Sequence, residues 1–234
     1  IVNSLATKAT LERHTRVRGD QIVVVPYGLS EAFRSIQASR AVRRVAAGVP
    51  EHSPVILQVA TGARYKNTKA ILHALAILRT RIRDLRLVRI GAPLFADESD
   101  LARKLDVHDS ITYLGVIHDD RRLAEWYNAA DALVFPSLWE GFGWPPLEAM
   151  ACGTPVVASN VAAIAEVVGD AGLLVPPDDA AALADATERV LTDRALAASL
   201  TRMGFERARR YTWASAARLT AAVYGEVLGS RPWR

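Results

Sequence analysis

The chain has 234 residues, half of them hydrophobic, and one cysteine, Cys152, so it can bury one substantial core but has neither a disulfide framework nor a cysteine cluster for zinc. With 29 Lys and Arg against 25 Asp and Glu, the formal net charge of +4 gives little support for a general electrostatic grip on nucleic acid. Anionic small molecules or an acidic membrane surface remain as partners, the lone thiol fits a reducing, cytoplasmic setting, and the longest apolar runs (54–60 and 154–158) fall far short of the roughly 20 residues that span a bilayer.

Residues 1–10, IVNSLATKAT, pair a strand-like Ile-Val with a helical-looking segment and lack the features of a secretory signal; the abrupt opening suggests a fragment of something longer. QIVVV at 21–25 predicts a strand ending in Pro26-Tyr27-Gly28, which breaks regular structure and is a candidate interdomain hinge, with the boundary between about Ser30 and Ser53. Short β-branched runs follow at 54–60, 85–90, 110–114, 131–135, 154–158 and 172–175. Most are separated by helical periodicity, clearest over 66–82, 119–128, 180–191 and 194–210. Apolar runs such as VILQVA and ALVFP fit strands covered on both faces, so the fold class is α/β, a doubly wound, Rossmann-like parallel sheet. Residues 213–228 read as a further amphipathic helix, with Trp213, Leu219, Val223, Tyr224 and Val227 as burial positions that could meet a missing neighbour. The expected division is 1–30 as the remnant of another domain and hinge, 31–210 as the Rossmann-like domain, and 211–234 as a C-terminal helix packing toward the absent part.

Residues 139–160, WEGFGWPPLEAMACGTPVVASN, carry the chemistry. Gly141 and Gly143 bracket Phe142 and let backbone N–H groups come close to a ligand. Pro145 and Pro146 fit the first turn of a helix running through Met150, whose free amides should face the loop and suit an anion such as a sugar diphosphate. Glu140 and Glu148 can face one crevice, where carboxylates repel a diphosphate but accept hydrogen bonds from sugar hydroxyls. Taken singly, Glu148 could merely favour the helix dipole and Glu140 could be solvated; the glycine loop between them weighs against that. Lys66, after the first core strand and at a helix start, is the expected diphosphate ligand. If the strand order is 3-2-1-4-5-6, the strands preceding Lys66 and Glu140 are neighbours at the switch point where open α/β sheets bind ligands.

The Glu140-x7-Glu148 spacing around GFG, followed by PLEAMACGTPVVAS, resembles the signature of family 4 of the GT-B retaining glycosyltransferases (glycosyl transferases group 1), and the resemblance covers most of residues 22–228. It implies the C-terminal, donor-binding half of a GT-B fold. It further implies hexose transfer from a UDP- or GDP-sugar to a hydroxyl acceptor with retention, without metal or cofactor, in polysaccharide or glycolipid biosynthesis. The acceptor would come through a missing N-terminal domain, with possible peripheral association at the inner face of the membrane. By the same resemblance Glu148 meets the donor ribose, Glu140 and the backbone of Phe142 and Gly143 lie against the transferred sugar, and the loop at Gly115 and Val116 borders the base. Gly141 and Leu147 complete the expected donor contacts, and Lys66 and Glu140 are the catalytic candidates. Glu166 matches a position near the donor or is simply a helix-surface residue.

One departure stands out: many relatives carry Arg five residues before this Lys, where this chain has Thr61, so the phosphate clamp is weaker here unless Arg64 supplies the guanidinium or the Thr61 hydroxyl donates to a phosphate oxygen. Thr61 is also the best argument for a rival reading, a non-catalytic nucleotide-sugar-binding module; a nucleotide-sugar epimerase fits the Glu140–Glu148 segment less well. His118, Asp119 and Asp120 could be imagined as a metal cluster, but Asp119 is better placed as a helix N-cap. Cys152 reads as a small buried filler, and the arginine-rich stretches at 79–86 and 202–210 as solvated helix faces.

Overall fold

A computed structural model describes residues 1–36, 44 and 47–229. The expected domain boundary between Ser30 and Ser53, and the end of the 211–234 segment, therefore lie partly outside the described residues.

The β-branched runs form six strands: β1 (Val55–Ala60), β2 (Arg86–Gly91), β3 (Ile111–Tyr113), β4 (Ala132–Phe135), β5 (Val156–Ser159) and β6 (Leu173–Val175). They build one sheet in the order β3-β2-β1-β4-β5-β6, every pair parallel. This is the expected doubly wound order. β1 lies between β2 and β4, with Leu57 opposite Val88 on one side and Leu133 on the other, so the loops after β1 and β4 leave the sheet side by side.

Nine helices follow from the periodic segments among the described residues: α1 (Leu5–His14), α2 (Thr68–Arg79), α3 (Ala96–Lys104), α4 (Asp120–Ala129), α5 (Trp144–Cys152), α6 (Ala162–Val168), α7 (Ala180–Thr192), α8 (Arg194–Ala208) and α9 (Trp213–Gly229). Both faces of the sheet are covered, which is why its strands can be apolar throughout. On one face Leu57, Val88, Leu133 and Val156 pack with Tyr127, Met150 and Val167 from α4, α5 and α6. On the other, Ile56, Leu87, Val134 and Val157 meet Ile71 and Leu75 of α2 and Leu183 and Val190 of α7. Truncating a fully buried leucine such as Leu133 costs about 2–5 kcal/mol at such a site.

Several expectations need correction. The helix expected over 66–82 is α2, Thr68–Arg79, because Asn67 adopts a left-handed conformation (φ 53°) that ends a preceding single 3-10 turn, Arg64–Lys66. Lys66 thus sits in the turn before the helix. The strand expected at 21–25 is only an isolated bridge, Val24 to Val2, since no longer strand among the described residues pairs with it. Pro26-Tyr27-Gly28 is stitched to the start of α9: Leu29 N–H donates to Tyr211 O (3.1 Å), and a Cβ on Gly28 would lie 2.2 Å from the Trp213 nitrogen. Of the burial positions expected on α9, Val223 is half-buried and Trp213 (51%), Leu219 (42%), Tyr224 (60%) and Val227 (55%) are exposed in this chain, as positions that could meet a missing neighbour would be, while Ala216 is the helix's buried residue. No helix among the described residues is long and apolar enough to cross a membrane.

Candidate active site

The loops leaving β1 and β4 are joined before any ligand is considered: Leu138 N–H donates to Tyr65 O at 2.7 Å. Lys66, next after Tyr65, and Glu140, two residues after Leu138, meet through side chains, Lys66 Nζ lying 2.5 Å from Glu140 Oε1 with the two side chains 10% and 12% exposed. Phe135 and Tyr65 present ring faces to the ammonium at 5.0 and 5.1 Å, shielding it further. A pair held this far from water binds strongly only because both charges are present; an anion entering here competes with Glu140 for a cation already positioned.

Gly143 is the N-cap of α5 and has φ 116°, a conformation that requires glycine. Gly141 has room for a side chain, since an added Cβ meets nothing nearer than Asn3 Nδ2 at 3.9 Å. Its carbonyl instead accepts from Ser4 Oγ at 2.7 Å and Thr7 Oγ1 at 3.2 Å, so the N-terminal segment anchors the glycine loop. Phe142 is buried and set edge-on to Tyr27 (5.3 Å) and Tyr211 (5.8 Å). The expectation of several free amides at the start of α5 fails for a chemical reason. Trp144 is the first helical residue, so Pro145 and Pro146 follow it and delete two of the usual N-terminal donors. Leu147 N–H turns back to Gly143 O at 3.4 Å, and its side chain is fully buried in the core, so its side chain is not offered to a ligand.

Glu148, on the next turn of α5, is half-buried and accepts a hydrogen bond from Tyr127 Oη at 2.7 Å. Burial pushes its carboxyl up from 4.5 to about 7, against the lowering effect of that hydrogen bond, and the nearby negative charge of Asp120 adds to the rise. Tyr127, itself fully buried, is held well above the usual phenol range by burial and by Glu148. Burial likewise pushes the Cys152 thiol up to about 12, so it is no nucleophile.

The remaining expected site residues are more dispersed. Thr61 is exposed just beyond β1. Arg64 does not fill its place: the guanidinium pairs with Asp97 at 3.0 Å and lies 4.6 Å from the centre of the Phe95 ring, pointing toward α3. Val116, 59% exposed, lines a cavity of about 660 Å³ with Leu114, Ile117, Glu125 and Trp126. Glu140 and Trp139 border a smaller cavity of about 240 Å³ closed by Thr7 and Thr10 of α1. Glu166 is spent elsewhere, its carboxylate accepting from the Leu5 and Ala6 amides at 2.8–3.3 Å. Asp119 accepts from Arg122 N–H at 2.9 Å as the N-cap of α4, and no three His, Cys, Asp or Glu among the described residues form a metal-binding group.

Two residues of the site were not foreseen. Tyr127 was hidden because a tyrosine on an amphipathic helix reads as core. Ser4 was hidden because its partner lies 137 positions away in sequence.

A doubly wound sheet with a Lys–Glu pair at its switch point defines an α/β ligand-binding domain. Residues 39–207 match the family described as glycosyl transferases group 1, and the chain belongs to that family. It is 32% identical to the D-inositol 3-phosphate glycosyltransferase of Corynebacterium diphtheriae over 237 aligned positions, which cover 97% of this chain and 55% of that protein. The chain thus spans about half the length of the curated relatives it matches. Among solved structures, sucrose-phosphate synthase from Thermosynechococcus elongatus superposes with a TM-score of 0.81 at 30% identity, over 98% of this chain and 58% of that one. Anabaena Alr3699/HepE in complex with UDP and glucose shares the fold, with a TM-score of 0.84 at 21% identity over 98% of this chain and 62% of that one.

Proposed function

We propose that this chain is the donor-binding part of a retaining hexosyltransferase that uses a UDP- or GDP-sugar. Residues 31–210 bind the donor, while residues 1–30 and 211–234 lead to an N-terminal domain that brings the hydroxyl acceptor. The contact between Lys66 and Glu140 is the observation that carries this reading, because it sets a shielded cation and a hydroxyl acceptor side by side at the switch point. The family membership and the UDP and glucose bound by the Anabaena fold relative support it.

Transfer breaks the bond between the anomeric carbon and a phosphate oxygen, and negative charge collects on the departing diphosphate. Lys66 meets that charge, and its place is fixed beforehand by the loop and by Glu140, so little reorganisation is needed as the bond breaks. Glu140 exchanges part of its bond to Lys66 for hydroxyls of the sugar. Glu148 accepts from the ribose hydroxyls, with Tyr127 holding the other side of its carboxylate. The backbone of Phe142 and Gly143 faces the sugar, Val116 borders the base, and Thr61 offers one hydroxyl to the phosphates. No metal ion is part of this proposed site.

Calorimetric titration of the chain with UDP, GDP, ADP and their hexose derivatives tests this. One nucleotide series should bind saturably, and Lys66→Ala and Glu148→Ala should each weaken it at least tenfold, the loss of about 1.4 kcal/mol. Wild-type binding that both variants retain would sink the site assignment, and binding without any product from the complete protein would favour a non-catalytic module.

A further inference from the structure

β2 reads RLVRIG, and its inner charge, Arg89, is almost wholly removed from solvent at 2% exposure. Valine or isoleucine would pack there without the cost of taking a guanidinium out of water. Among the described residues Arg89 forms no ion pair. Glu98, the acidic group whose charge acts on it, has a carboxylate oxygen accepting from Phe95 N–H at 3.0 Å. Burial lowers the Arg89 pKa, as expected of a cation held away from water.

The guanidinium instead forks between the loop after β2 and the side chains of Gln58 on β1 and Thr68 on α2. Its Nε donates to Ala92 O at 3.0 Å, in the loop after β2. Its Nη1 donates to Gln58 Oε1 and to Thr68 Oγ1, the latter at 3.3 Å, while Gln58 Nε2 donates to the same Thr68 oxygen at 3.2 Å. Thr68 is the first residue of α2 and follows Asn67 and Lys66 directly. Arg89 therefore holds the first residue of α2, two positions after Lys66, and it places a second positive charge beneath the positive end of a helix.

We propose that Arg89 is a positioning residue for the donor diphosphate, holding the start of α2 at Thr68 so that Lys66, two residues before it, meets the second phosphate. The inference rests on the reading above that a nucleoside diphosphate binds at Lys66.

The test is the ratio of dissociation constants for the nucleoside monophosphate and diphosphate of the preferred base, measured by calorimetry on the 234-residue chain. This ratio isolates the second phosphate, and uniform damage to the fold does not change it. Lys66→Ala should lower the ratio about tenfold, Arg89→Met should lower it comparably, and the double variant should fall little further. An unchanged ratio in folded Arg89→Met, or a full additional loss in the Lys66→Ala background, overturns the proposal. Should circular dichroism show Arg89→Met unfolded, Arg89→Lys carries the test, because it keeps the charge but loses the fork. A lowered ratio then supports the positioning role, and a wild-type ratio overturns it. Failure of the wild-type chain to bind any nucleotide overturns the donor reading and this inference together, whereas tight binding with Arg89-independent ratios removes this inference alone.

Discussion

At the scale of single residues, the site sets two carboxylates in different environments. Glu140 is neutralised by an adjacent ammonium, while Glu148 faces a tyrosine hydroxyl and carries a carboxyl raised to about 7. Because the folded chain holds the Glu148 proton more tightly than the unfolded chain, this group favours folding most below its ordinary value of 4.5. That contribution is lost as pH rises through 7. Ribose hydroxyls require the opposite state, the ionised carboxylate that accepts from them. Nucleotide affinity should therefore increase as pH rises from 6 to 8 while the contribution of Glu148 to stability declines, and Glu148→Gln should flatten both profiles. Calorimetry and urea unfolding across that pH range check this; an affinity that stays level in the wild type while the nucleotide's own ionisation is accounted for would remove Glu148 from the ribose contact.

Elements show which parts of the fold the sequence made legible. The strands and their order could be read because each is a short β-branched run buried on both faces, a pattern that leaves little choice but a parallel sheet between helices. The Glu140 loop was equally legible, since glycines and prolines mark its turns. The helix start expected at Lys66 lies two residues later, because left-handed Asn67 separates Lys66 from α2, and only the backbone angle reveals that. The anion-binding capacity expected at the start of α5 overlooked that its prolines remove the donors themselves. α3 was missed because its sequence, ADESDLARK, has too few apolar positions for a clear period. α1 was glimpsed only as a helical-looking segment, because none of its residues is buried and its ends hold it: Ser4 caps it and bonds Gly141, and Glu166 receives its first amides. Such a helix depends on its caps. Glu166→Gln should therefore weaken α1 by about 1 kcal/mol, speeding exchange of its amide hydrogens roughly fivefold while the sheet is unaffected. Uniform acceleration across the chain would instead mean that Glu166 supports the global fold.

The whole molecule has one complete core and one face without cover. The two layers of helices close the sheet, and the first residues fold back to brace the glycine loop, yet α9 turns Trp213, Leu219, Tyr224 and Leu228 outward along its length. A helix that buries little more than Ala216 gains almost nothing from its own apolar residues, so selection for this chain's stability alone does not explain them. The proposed position of residues 211–234 against an N-terminal domain does, because the chain spans about half the length of its curated relatives and a domain of the remaining size can cover such a face. This separates two measurements. In the present chain, Tyr224→Ser and Leu228→Ser should each change unfolding free energy by less than about 0.5 kcal/mol, as exposed positions do. In a longer form that includes the proposed N-terminal domain, each should cost about 1.5–3 kcal/mol if its side chain is fully covered. Urea unfolding of both forms decides it: equal, small effects would mean that α9 does not meet the other domain, whereas a cost confined to the longer form would identify α9 as the surface through which the donor-binding half is joined to the acceptor-binding half.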